Sequence, residues 1–443
     1  MSAALHTSMP RRKSVNRNWI GSIPEDWESA LLKLVARLES GHTPSRSVPE
    51  YWQDCTIPWF SLADVWQLRE EHRKYVHDTA EMVSELGVAN SSARILPAGT
   101  VILSRTASVG FTGIMGQDMA TTQDFVNWVC GDKVLPTYLW YCLQAMTPEY
   151  DRLRFGSTHQ TIYMPDVAQF KVPVPPTDVQ ERISNFLDEQ TARIDLLIAE
   201  KEALAERLRE YRRSAVSNAI TEGVPGRHST FASHPFLGRL PSAWRAGKFR
   251  HYVSVRSGQV DPEAAEYADM VLVAPNHIEP GTARLLATET ATEQAAESGK
   301  YWCDAGDVLY SKIRPALRKA TAAPFDCLCS ADMYPLKGIA PLSNKYLLWY
   351  LLSEPFSDFA VQESMRVAMP KLNRETLADA VIPLPDPTEQ QEIVAYIAAV
   401  TAKADAVLSH ATEHIERLRE YRSSLISAAV TGQLDIGAYR EAA

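Results

Sequence analysis

The sequence has no run of 18 apolar residues, so no stretch of it reads as a membrane span. Residues Met1 to Arg17 are polar and basic and lack an apolar core, which is not the pattern of a secretory signal. The expected location is cytoplasmic, with no membrane partner. Cysteine is scarce: six residues (Cys55, Cys130, Cys142, Cys303, Cys327, Cys329), with no repeated CxxC pairs. Reduced thiols are expected. Cys327-Leu-Cys329 is read as alternate strand positions, not as a metal site. Excess positive charge is absent as well. A formal net charge of −9 argues mildly against a general nucleic-acid binder and leaves local basic surfaces open.

Catalytic signatures are missing too. There is no phosphate-binding Gly-x-x-x-x-Gly-Lys-Ser/Thr loop, no Gly-x-Ser-x-Gly elbow and no His-Glu-x-x-His pair. Gly110-Phe-Thr-Gly113-Ile-Met-Gly116 has the wrong spacing for a dinucleotide fingerprint and is read as strand turns. No lysine has Asp or Glu two positions before it, the arrangement that would hold a nuclease metal beside a base. No Asn/Asp-Pro-Pro-Tyr/Phe motif of an amino-methyltransferase occurs. The chain is expected to bind rather than to react, with no catalytic residue and no metal.

What is present is a repeat. From Ile183, residues Ile183, Leu187, Ile194, Leu197, Leu204, Leu208, Tyr211 and Ala215 follow a four-three alternation, with Gln190 and Lys201 filling the gaps. Adding 210 to each number gives a second series: Ile393, Ile397, Val400, Ala404, Val407, Ala411, His414, Leu418, Tyr421 and Leu425. The ends match almost letter for letter, Leu208-Arg-Glu-Tyr-Arg212 against Leu418-Arg-Glu-Tyr-Arg422. A spacing near 3.5 predicts two long helices packed along a coiled-coil seam, each about 60 Å at about 1.5 Å per residue. Lys201 and His414 are the polar members of that seam.

The segment before each helix repeats in layout. Ile23-Pro-Glu-Asp-Trp27 is echoed by Leu240-Pro-Ser-Ala-Trp244. Met164-Pro165 is echoed by Met369-Pro370, and Val172-Pro-Val-Pro175 by Ile382-Pro-Leu-Pro385. The expected fold is α+β, two mixed α/β heads separated by two long helices, with an internal repeat. The expected boundaries are a disordered lead-in at 1–18, a first head at 19–177, a first helix at 178–220 and a linker at 221–236. A second head at 237–387, a second helix at 388–430 and a tail at 431–443 follow.

Candidate binding residues follow the predicted strands of each head. In the first they are Ser104, Arg105, Thr106, Ser108, Thr121, Thr122, Gln123, Arg152, Arg154, His159 and Gln160. In the second they are Ser311, Lys312, Arg314, Arg318, Lys319, Arg366, Lys371, Asn373 and Arg374. Arg can bond guanine through two atoms, Gln and Asn can do so with adenine, and Ser, Thr and Lys reach phosphates. An alternative is a scaffold that binds no DNA, in which a coiled coil ties two ligand-binding heads to partner proteins.

The repeated openings, the proline-spaced strands, the helix starts Gln180-Glu-Arg-Ile183 and Gln390-Gln-Glu-Ile393, and the Leu-Arg-Glu-Tyr-Arg ends together resemble the specificity subunit of a Type I restriction-modification enzyme. The resemblance covers nearly the whole chain from Trp19. It implies two target-recognition domains, each reading half of a split double-stranded DNA site, held by two antiparallel helices with pseudo-twofold symmetry. It implies two methyltransferase subunits carrying S-adenosylmethionine, restriction and translocase subunits using ATP and Mg, and no cofactor in this chain. The second head departs from the pattern at Gly258-Gln259-Val260, where the first has Thr43-Pro44.

Overall fold

Prolines mark where the two longest elements begin. Pro175-Pro176 precedes one helix, Thr177–Glu222, and Pro387 opens the other, Pro387–Val430. Proline is favoured there because the first helical N–H has no partner to lose. Each helix stops at a glycine in the left-handed region, Gly223 (φ 82°) and Gly432 (φ 63°), a conformation that costs other residues more. The computed structural model describes residues 11–15, 19–69, 73–154, 160–364, 370–437 and 439. The fold is α+β.

The chain divides into two compact units, residues 1–200 with 414–443, and residues 201–413. The division falls inside both long helices. The reason is packing: each head holds the opening half of the helix that follows it and the closing half of the other one.

In the first unit a five-stranded sheet runs in the order Ala36–Ser40, Phe125–Cys130, Val101–Ser104, Thr112–Met115, Tyr75–Val76. Phe125 faces Ser104 and Trp128 faces Val101 across one antiparallel pair. Helix Pro136–Ala145 buries Tyr138, Leu139, Trp140 and Tyr141 among Val101, Leu103 and Ile114, and the same core takes in Ile183, Leu187, Leu425 and Ile426 from the long helices. A three-stranded sheet, Ala120–Thr121, Ile57–Phe60 and Glu81–Val83, lies beyond. In the second unit a four-stranded sheet, Val253–Val255, Met333–Gly338, Val308–Ser311 and Ala320–Ala322, packs with helix Asn344–Leu352. That core includes Val216, Ile220, Ile393 and Ile397. A five-stranded sheet, including Lys300–Cys303 and Cys327–Cys329, completes the unit. Cys303, Cys327 and Cys329 are buried in it as free thiols.

Several contacts recur in both units. Gln180 is fully buried; its Oε1 accepts from Leu135 N at 2.9 Å, and its Nε2 donates to Lys133 O at 2.9 Å and Pro175 O at 2.8 Å. Gln390 does the same with Ser343 N at 2.9 Å, Pro341 O at 3.0 Å and Pro385 O at 3.1 Å. The Tyr138 hydroxyl donates to Val430 O and the Tyr346 hydroxyl to Ile220 O, so each head clasps the end of a long helix. Strand Lys171–Val174 pairs with Glu28–Leu31, and Val381–Leu384 with Arg245–Lys248.

Four expectations change. Within the 1–18 lead-in, Arg12–Ser14 is a strand paired with Ser22–Pro24, and Arg12 donates to the carbonyls of Thr431 and Gly432. Residues 1–10 and 16–18 lie outside the described residues. Within the 221–236 linker, Phe231–His234 pairs with Gly238–Pro241. The Met-Pro echo is also out of register. Met164-Pro165 begins a short helix, whereas Pro370 accepts from Arg314 N as Gln160 accepts from Ala107 N. The true counterpart of Pro370 is therefore Gln160; Met369 lies outside the described residues.

The fourth change concerns the seam. Ile183, Leu187, Ile194, Ile393, Ile397 and Leu425 are buried, and Leu208, Val400 and Leu418 are half-buried. Leu197, Leu204, Tyr211, Val407 and Tyr421 are 45 to 56% exposed. Lys201 is half-buried and His414 exposed. The covered stripe instead runs Ile183, Leu187, Thr191, Ile194, Ile198, Lys201, Ala205, Leu208, Arg212, Val216, and shifts identically in the second helix through Thr401, Leu408, Ile415 and Arg422. Its spacing is three positions per 11 residues, about 3.67 per turn, which calls for no left-handed supercoil. Apolar size misidentified the stripe because its inner members are small or polar (Thr191, Ala205, Arg212) while larger residues face outward.

The second long helix contains an 18-residue window of mean hydropathy 1.3, apolar enough by composition to cross a membrane. Ile393 and Ile397 of that helix are buried in the core of the second head, and 22% of the window is buried in all.

Candidate nucleic-acid interface

In both heads the candidate residues gather where a core strand ends and a later segment pairs with it. In the first head the strand ends at Ser104. Its hydroxyl accepts from Phe111 N at 3.0 Å and donates to the Ser108 carbonyl, tying off the turn. Arg105 donates its N–H to Asp124 O at 2.8 Å and accepts from Ile162 N at 2.9 Å. Thr106 then bridges Thr161, and Ala107 N donates to Gln160 O at 2.9 Å. The Arg105 guanidinium reaches Ile162 O at 3.4 Å, while its Nε is enclosed without a hydrogen-bond partner among the described residues.

The second head repeats this backbone plan with different side chains. Ser311 ends the strand, its hydroxyl donating to Ile313 O at 3.1 Å. Lys312 N donates to Asp332 O at 3.0 Å, Leu372 N to Lys312 O at 2.8 Å, and Arg314 N to Pro370 O at 3.0 Å, with Ile313 bridged to Lys371. Ala107 (φ 61°) and Arg314 (φ 47°) share the left-handed conformation at the corresponding turn position.

The structure sorts the expected residues. Ser104, Thr121, Thr122 and Ser311 are buried and leave the candidate surface. Thr121 Oγ1 accepts from Asn127 Nδ2 at 2.9 Å and Thr122 Oγ1 donates to Asp124 at 3.0 Å, so these hydroxyls are used inside the fold. Asn373 caps a short helix by accepting from Thr376 N at 2.8 Å. Arg318 Nε donates to Ser357 Oγ at 2.9 Å, and Lys319 Nζ to Pro275 O at 2.6 Å, so both brace loops. Arg152 pairs with Glu149 at 2.7 Å. Gln123 and Gln160 are exposed; Gln123 accepts from Thr43 Oγ1 at 2.7 Å, and Gln160 from Arg154 at 3.3 Å. Thr106, Ser108 and Arg154 are half-buried, and Arg154 also pairs with Asp151. Arg314 and Lys371 are exposed. His159 and Arg366 lie outside the described residues.

Two groupings bring in residues the sequence reading did not select. Arg46 stacks on Trp52 at 3.8 Å and lies 5.3 Å from the Trp59 ring, beside the loop that holds Thr43. In the second head Arg374 lies 5.7 Å from the Tyr301 ring and 5.4 Å from Tyr334, and Lys312 Nζ is 5.4 Å from the same Tyr334 ring. Burial lowers the Lys312 pKa; Asp332 opposes that shift, and the charges of Lys371 and Arg374 add to it. Tyr301 and Arg374 are far apart in sequence, so no local pattern could have joined them. Cationic and aromatic groups side by side suit phosphate contact and stacking on bases.

Comparison with known proteins places these heads in context. A family model described as "Type I restriction modification DNA specificity domain" matches residues 24–206 and again 263–417. The Type I restriction enzyme EcoDI specificity subunit of Escherichia coli is 25% identical over 430 residues, covering 94% of this chain and 90% of that one. The MjaIX specificity subunit of Methanocaldococcus jannaschii is 23% identical, covering 94% of this chain and 95% of its own length. Among solved structures, a chain from work on complex assembly and conformational transition of the type I R-M system has a TM-score of 0.70 at 16% identity. It covers 93% of this chain and 99% of its own. The HsdS subunit from Thermoanaerobacter tengcongensis gives a TM-score of 0.51 at 17% identity, with coverage of 93% and 98%. Both structural likenesses establish the fold.

Proposed function

The chain belongs to the Type I restriction-modification DNA specificity family, and we propose that it is the subunit that selects the DNA sequence for such a complex. The observation that carries this reading is that the family match falls twice, once on each head with the helix that follows it. Each head reads one half of a split site in double-stranded DNA. The two long helices lie antiparallel and set the gap between half-sites. In one unit Asp195 receives Arg422 Nε at 2.8 Å, and in the other Asp405 receives Arg212 Nε at 2.9 Å. The order rises along one helix and falls along the other, which supports antiparallel packing and a pseudo-twofold repeat. Two heads on a stiff spacer gain affinity together only where both half-sites fall within reach on the same face of the duplex.

Two methyltransferase subunits dock on this frame, and restriction and translocase subunits join them. The outward-facing Leu197, Leu204 and Tyr211 offer apolar area for such docking. S-adenosylmethionine, ATP and Mg belong to those partners in this reading, and the chain itself carries out no reaction. The test is the salt dependence of duplex binding by the full-length chain. Affinity is expected to fall about a hundredfold or more between roughly 50 and 200 mM salt, as counterions return to the phosphates. Affinity independent of salt would contradict DNA reading and favour a protein scaffold.

A further inference from the structure

The two heads share a backbone plan at the candidate interface but not its charge. In the second head Lys312 and Lys371 sit on two paired segments, and Arg374 follows two residues beyond Leu372. Arg374 is fixed by a 2.7 Å bond from Nη2 to Arg256 O, and it shares the Tyr334 ring with Lys312. Tyr334 is itself pinned by its hydroxyl to Leu372 O at 3.2 Å. Through the same hydrogen bonds and bridges, the first-head counterparts of Lys312, Lys371 and Leu372 are Arg105, Thr161 and Ile162. Counting on two residues puts Met164 opposite Arg374. The strand register puts Val126 opposite Tyr334, because Ser104 faces Phe125 and Ser311 faces Met333. One cation stands where the second head has three, and the aromatic shelf is gone.

Like charges near one another are unfavourable without an anion beside them; Asp332 supplies part of that balance at Lys312, whose Nζ also donates to Ala331 O. The mutual effect is visible at Lys312, whose pKa is lowered first by burial, and further by Lys371 and Arg374 against the opposing pull of Asp332. Lys371 is exposed at the edge of the cluster.

We propose that Lys312, Lys371 and Arg374 form a clamp for the DNA phosphate backbone, present in the second head and lacking in the first, so that the second head holds DNA mainly by charge. This rests on the DNA-reading function proposed above. The second half-site would then contribute the larger share of salt-sensitive affinity. The first head, whose Arg46 is paired with Glu81, would depend more on uncharged contacts, with Gln123 and Gln160 at its exposed edge.

The experiment measures affinity for a mixed-sequence DNA duplex against salt, using the full-length chain, for wild type, Lys371→Ala and Thr161→Lys. Sequence-independent binding reports phosphate contacts directly, so the target need not be known. Lys371→Ala is expected to reduce the salt slope by about 1, and Thr161→Lys to raise it by about 1. Thermal melting of each variant checks that it is folded; Lys371 is exposed and its backbone bridge survives truncation. A wild type with a steep slope and two folded variants with that same slope would overturn the clamp while leaving DNA reading intact. A flat wild-type slope would overturn both.

Discussion

Arg212→Ala is expected to destabilise the 201–413 unit by about 3 kcal/mol. Arg212 is a charged residue on the buried stripe of the first long helix, only 6% exposed. Its Nε donates to Asp405 at 2.9 Å, Nη1 to Gly281 O at 2.6 Å and Nη2 to Thr282 O at 3.4 Å. Those partners lie on the second long helix and on a loop of the second head, so one side chain joins three elements. Alanine leaves the three acceptors without that donor and removes the packed stem. Asp405 is 49% exposed and can rehydrate, which keeps the loss well below that of a stranded buried charge. Arg212→Lys should recover less than half, because an ammonium cannot span acceptors set around a planar fork. The repeat partner Arg422 bonds Asp195 and Gln144 but is 22% exposed at its side chain, and Arg422→Ala should cost about 1 kcal/mol. Calorimetric unfolding of the variants checks the contrast. Equal losses at both positions would contradict it.

Gln390→Ala is expected to cost a further class of contact, about 2 to 4 kcal/mol. The side chain is fully buried and makes three hydrogen bonds, which join the start of the second long helix to the 341–343 loop and the end of the preceding strand. Truncation leaves one N–H and two carbonyls unpaired in a cavity. Gln390→Glu should be no better, because its second oxygen cannot donate to the carbonyls of Pro341 and Pro385. Gln180→Ala should produce the same loss in the other unit, where the same three bonds recur. Urea unfolding of the two single variants should show each lowering the stability of its own unit. A loss under about 1 kcal/mol in both would mean that these glutamines do not hold the helix starts.

Where the sequence repeated itself, it was a good guide to the fold. The duplicated helix starts contain Gln180 and Gln390, and the proline-spaced strands are both real. The sequence misled where partners are chosen by shape. Leu204 and Tyr211 look like seam residues, yet Ala205 and Arg212 are the ones covered, because close packing there favours a small residue and a hydrogen-bonded charge over bulk. Met164-Pro165 and Met369-Pro370 look alike, but the backbone bonds match Gln160 with Pro370. At the interface, residue type did not separate Ser104, whose hydroxyl is used up inside a turn, from Lys371, which is exposed. The cluster of Lys312, Arg374, Tyr301 and Tyr334 forms only through strand pairing across long sequence separations.

In the function proposed above, two heads on one frame select a split DNA site. Mapping of methylated bases tests it most directly, in cells that express this chain together with a methyltransferase subunit. Methylation is expected at two short specified sequences separated by a gap of fixed length and unspecified sequence, and is expected to be lost when this chain is omitted. A continuous methylated motif, or a pattern unchanged without the chain, would contradict it.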